Sequence, residues 1–64
     1  MYGKLYVEMK KHHVTQTEIA KKLGISANSV NNKMQGKRDF TAPEMYTICG
    51  IISDVPMQEL FKKD

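Results

Sequence analysis

Cysteine is almost absent: Cys49 is the only one in 64 residues, so an internal disulfide is impossible. Beside it, His12 and His13 are too few to complete a structural zinc site. The staples that rescue many tiny secreted domains are therefore not expected, which fits a reducing cytoplasm. No apolar run approaches a membrane span, and the N-terminus lacks the apolar stretch of a signal peptide. Strand-like alternation is missing, β-branched residues are scattered, and no repeat or low-complexity tract stands out. Enzymatic parts are missing as well. There is no serine nucleophile with paired His and Asp, no glycine-rich phosphate loop, and no carboxylate pair set for acid–base work. No cofactor or small-molecule ligand is expected.

What is present is an ordinary globular composition, 41% hydrophobic and 27% charged. Ten Lys and Arg against seven Asp and Glu leave a net charge of +3, with a pI of about 9.1, which suits a polyanionic partner. A chain of this length makes one domain, residues 1–64, burying roughly 60% of its unfolded surface. That leaves a thin core and no room for a deep catalytic pocket.

The punctuation of Gly24, Gly36, Gly50, Pro43 and Pro56 spells out short helices. The first runs from Lys4 to His12, with Leu5 and Met9 inward, Tyr2 and Tyr6 flanking them, and Lys4, Glu8 and Lys11 solvated. Thr15 and Glu18 make a capping box for the second, with Val14 as its staple, Ile19, Ala20 and Leu23 as its inner stripe, and Gly24 as its end. Ser26 caps a third helix from Ala27 to Met34 or Gln35, stopped by Gly36. Val30 and Met34 are its inner residues. Thr41 and Glu44 make a second capping box, with Pro43 in the first turn. Met45, Ile48, Cys49 and Ile52 are the stripe of that fourth helix, and Cys49 reads as a small buried hydrophobe. Ser53 to Pro56 turns the chain into a short last helix, Met57 to Phe61.

The third helix carries Asn28, Asn31 and Asn32 where a purely structural helix would carry Glu, Lys or Ala. Asn can bond adenine N6 and N7 together, so these amides are candidate base readers. Gln16 opens the second helix, where the dipole and free N–H groups favour a phosphate. Lys37 and Arg38, just past the third helix, are candidate phosphate contacts. Lys33, Gln35 and Ser26 are further candidates for that role. His12 and His13 point apart at a helix end with no third ligand nearby in sequence, so they read as loop residues and no metal is expected.

Gln16 to Gln35 reads as a helix-turn-helix. With Thr15-Gln16, Glu18 to Ser26, Val30, Gly36-Lys37-Arg38 and the closing Glu59-Leu60-Phe61, the chain resembles the Cro/CI phage repressors and related bacterial regulators of the XRE family. The resemblance implies a compact all-α, lambda-repressor-like bundle of about five helices whose third lies in the major groove of double-stranded DNA. It implies a sequence-specific transcriptional repressor of phage or prophage type, acting by operator occupancy in a bacterial or phage-infected cell. It also turns Ala27, Asn28, Asn31 and Asn32 toward the groove, with Ala27 on a thymine methyl. Many members pair an Arg in the first helix with a Glu closing the third. Met9 and Met34 stand at those positions here, which predicts that they pack together. Lys33 replaces a usually apolar residue.

The rival reading is a helix-turn-helix interaction module, as in antirepressors, antitoxins or bridging factors; it calls for an apolar patch on the third helix that the sequence does not offer. One domain reads too few base pairs for selectivity in a genome. A twofold dimer, assembled fully only on DNA, places two recognition helices about 34 Å apart. Once the internal stripes are taken, Ile51, Val55, Met57 and Leu60 are left over, and the dimer surface is expected at Val55, Met57 and Leu60.

Overall fold

Short polar residues start three of the helices, and left-handed glycines end two of them. The computed structural model describes residues 1–63. Its helices are α1 (Gly3–Lys11), α2 (Gln16–Leu23), α3 (Ala27–Met34), α4 (Ala42–Ile51) and α5 (Met57–Leu60), with no strand among the described residues. Gly50, read above as punctuation, lies inside the last turn of α4.

The caps are local chemistry. Thr41 Oγ1 accepts from the Glu44 N–H at 3.3 Å, while Glu44 Oε1 accepts from the Thr41 N–H at 2.9 Å, which completes a capping box. At Thr15 only half of the expected box forms. Thr15 Oγ1 accepts from the Glu18 N–H at 3.1 Å, but the Glu18 carboxylate accepts from the Thr15 hydroxyl and not from its backbone. Ser26 Oγ accepts from the Ser29 N–H at 3.1 Å. Gly24, at φ 72°, ends α2, and Ile25 N–H reaches back to the Ala20 carbonyl at 3.1 Å. Gly36, at φ 84°, ends α3 in a Schellman motif: Lys37 N–H bonds the Asn32 carbonyl and Gly36 N–H the Lys33 carbonyl.

One apolar core runs through all five helices: Leu5 and Met9 from α1, Ile19 and Ala20 from α2, Val30 and Met34 from α3, Ile48 from α4 and Leu60 from α5, with Ile52 just past α4. Met9 and Met34 are both buried in it. Cys49 is half-buried against it, and that burial raises its thiol pKa. Tyr2, Phe40 and Phe61 meet edge to face with centroids 5.3–5.9 Å apart, closing the N-terminus, the α3–α4 loop and the end of α5 on one another. Tyr2 N–H bonds the Met34 carbonyl at 3.0 Å, and Lys63 Nζ meets Asp39 Oδ1 at 2.8 Å over the same junction. The Lys63 ammonium holds the Asp39 carboxyl below its usual range.

Three outward and inward assignments are corrected. Glu8, expected in solvent, is buried. Tyr6, expected to flank the inner face, is exposed with the Lys10 ammonium over its ring. Leu60, expected at a dimer surface, is fully enclosed by the core, because α5 packs against α1 and α4 and turns that side chain inward.

Candidate nucleic-acid interface

α2 and α3 form the helix-turn-helix. Ala20 is small and buried, Gly24 turns the chain, and Val30 is fully buried, so the two helices pack closely through their apolar sides. The opposite side of α3 is polar. Ala27 and Asn28 in its first turn are exposed, and Asn31 and Asn32 one turn later are half-buried.

Gln16, at the start of α2, reaches across to α3. Its Nε2 donates to Asn31 Oδ1 at 3.4 Å and to Met34 Sδ at 3.6 Å. Asn31 is thereby oriented with its amide NH₂ left to donate elsewhere, while its oxygen keeps a second lone pair. The free first-turn N–H groups of α2 lie at the same end as this Gln16–Asn31 link.

Gly36 carries the chain out of α3 into Lys37 and Arg38, both exposed, and the Schellman bond from Lys37 ties this basic loop to the base of α3. Gln35 is also exposed. Ser26 is exposed, but its hydroxyl is committed to its helix, donating to Ser29 Oγ at 2.9 Å as well as capping.

Lys33 does not join them. Its ammonium is taken by Glu44 Oε1 at 2.7 Å and by the Asp39 carbonyl at 3.4 Å, with both side chains of the Lys33–Glu44 pair at most 15% exposed. The expected phosphate contact is corrected to an internal clasp between α3 and the α4 cap. Burial pushes the Glu44 carboxyl pKa up, but the hydrogen bonds from Lys33 and the Thr41 N–H, with the Lys33 charge, outweigh it and leave the carboxyl below its ordinary 4.5.

The sequence does not single out Lys10 or Tyr6 as a neighbour of the start of α2. The turn at His12 and His13 folds the end of α1 back beside the start of α2. There Tyr6, Met9, Lys10, Val14, Thr15 and Gln16 line a cavity of about 240 Å³. Lys10, whose ammonium lies 5.2 Å from the centre of the Tyr6 ring, thus lines the same cavity as Gln16, and nothing local in the chain signals that meeting. Of the residues expected at a dimer surface, Val55 and Met57 are half-buried and retain exposed area. Among the described residues no helix is long and apolar enough to cross a membrane.

The sequence model of one protein family, the Cro/C1-type HTH DNA-binding domain, matches residues 4–62 of the chain. Neither the curated proteins nor the solved structures gave a match.

Proposed function

The chain belongs to the Cro/C1-type helix-turn-helix DNA-binding family, and from that premise we propose that this DNA-binding regulator is a repressor of phage or prophage type that occupies an operator and excludes polymerase. Family membership carries binding to double-stranded DNA. The observation that carries the finer reading is the polar face of α3: Asn28 exposed at its start, Asn31 held by Gln16, and exposed Lys37 and Arg38 just past its end, the Lys37 backbone bonded to Asn32. In this reading the Asn side chains read base edges in the major groove, and Lys10, Gln16, Lys37 and Arg38 hold phosphates on either side. An antirepressor, antitoxin or bridging role would require an apolar patch where these amides stand. The protein acts as a homodimer in this reading, weak in solution and completed on DNA, through Val55 and Met57.

Selection of bound sites from a random duplex pool, followed by salt titration on the winners, tests it. Two half-sites with centres about 34 Å apart are expected. Recovery of no preferred sequence would overturn the operator reading. Asn28→Ala, Asn31→Ala or Asn32→Ala should each relax preference at one or two base pairs, at a cost of about 1–3 kcal/mol on the preferred site for a bidentate reader, with little change on random DNA. If all three variants keep the parent's preference, direct readout by these amides is wrong.

Lys37→Ala and Arg38→Ala should act differently. Each should weaken binding to every sequence alike and flatten the salt dependence by roughly one unit of log–log slope for each phosphate no longer neutralised. A changed sequence preference with an unchanged slope would instead make that residue a base reader.

A further inference from the structure

Glu8 sits where a carboxylate should not. Its side chain is 2% exposed, and Oε1 is the buried side-chain oxygen left without a hydrogen-bond partner among the described residues. Such an atom loses its hydration and gains nothing in return. The ammonium groups of Lys4 and Lys11 approach only the other oxygen, Oε2, at 3.4 and 3.5 Å. Oε1 faces His12 Nε2 at 3.8 Å, too far for a hydrogen bond. The same Nε2 lies 2.9 Å from Asp54 Oδ1, on the turn before α5. The three donor atoms lie within 4.8 Å of one another.

We propose that Glu8, His12 and Asp54 form a binding site for one divalent transition-metal ion of the zinc class. His12 is the C-cap residue of α1, four residues beyond Glu8, so the end of the helix brings both ligands together. One imidazole nitrogen and two carboxylate oxygens make a donor set that zinc accepts, with a fourth position open to water. Metal–ligand bonds of about 2.0–2.2 Å place tetrahedral donors roughly 3.4 Å apart, which small side-chain rotations reach from the separations seen here. The ion fills the coordination that Glu8 Oε1 lacks, and its charge is balanced by the two carboxylates. The side chains of His12 and Asp54 are 35% and 55% exposed, which opens a path from solvent. Lys4 and Lys11 are anchored by long flexible stems and can turn outward. The third ligand was invisible in the sequence because Asp54 stands 42 residues from His12. A metal here clips α1 to the α4–α5 turn and stabilises the folded chain, since the unfolded chain holds no such site.

Zn²⁺ titrated into chelator-stripped protein tests this by calorimetry and thermal unfolding. One ion per chain and a raised melting temperature are expected, both reversed by EDTA. His12→Ala should lower the affinity by at least about tenfold. Asp54→Asn should do the same from an exposed turn, where the change keeps side-chain shape and threatens the fold least. His13→Asn should leave binding unchanged; Asn tolerates the left-handed φ of 56° at that position. Absence of saturable binding, survival of binding in both His12→Ala and Asp54→Asn, or equal loss in His13→Asn would overturn the site.

Discussion

Met34→Glu is expected to remove most of this domain's stability. The Met34 side chain is 3% exposed, and its sulfur accepts from Gln16 Nε2. A carboxylate there is buried with no cation beside it, a change that costs about 3–5 kcal/mol. A core of this size supplies only about 3–5 kcal/mol in the first place. Met34→Leu keeps shape and polarity and should cost less than about 1.5 kcal/mol. Adding Met9→Arg to Met34→Glu should restore part of the loss, because it offers the buried carboxylate a guanidinium partner. Denaturant unfolding of the parent, both single variants and the double variant closes a double-mutant cycle. A coupling energy of about 0.5–3 kcal/mol is expected. Strict additivity would mean that Met9 and Met34 share a core without acting on one another.

Glu44→Ala is expected to be the second-largest loss, about 2–4 kcal/mol. The carboxylate does two things at once: it completes the cap of α4 and it neutralises the half-enclosed Lys33 ammonium. Its removal leaves an uncompensated charge and an orphaned Thr41 N–H. Glu44→Gln separates the two effects, since the amide oxygen can still cap but carries no charge. The pH dependence follows from the lowered carboxyl pKa. A carboxyl whose folded pKa lies below its ordinary 4.5 adds stability that is fully present above that value. That stability is lost as pH falls through the folded pKa. Melting temperatures taken from about pH 7 down to about pH 3 should therefore fall less steeply in Glu44→Gln than in the parent. A Glu44→Ala cost below about 0.5 kcal/mol would place the pair with solvent-screened surface ion pairs and refute the clasp.

For DNA recognition, the useful consequence of this clasp is placement. The Lys33 charge is paired with Glu44, so in the proposed reading it is not offered to DNA, yet the pair ties α3 to α4 close to the loop that carries Lys37 and Arg38. A loss of DNA affinity in Glu44 variants would therefore come through misplacement of that loop. If Lys37 and Arg38 contact phosphates as proposed, its salt slope should stay near the parent's, because both cations are still present.

What the sequence by itself determined is what neighbours along the chain decide. Thr15, Ser26 and Thr41 start helices because their hydroxyls reach N–H groups three residues on, and Gly24 and Gly36 end them because they accept a left-handed φ without strain. The inner stripes of α2 and α3 follow from helical spacing, and the excess of Asn on α3 marks its polar face. Only the tertiary structure decided which charges pair and which side chains are covered. Glu8 and Glu59 are both acidic residues on helices, yet α5 and its preceding turn pack over one side of α1 and bury Glu8 while Glu59 stays exposed. Lys33 looks like a phosphate contact until α4 brings Glu44 to it. His12 looks like loop filler until the turn before α5 brings Asp54. Leu60 looks like spare apolar surface until α1 and α4 close over it. A helix's own periodicity sets which residues share a face, but burial and charge pairing depend on elements that meet from far along the chain, and no local spacing encodes that meeting.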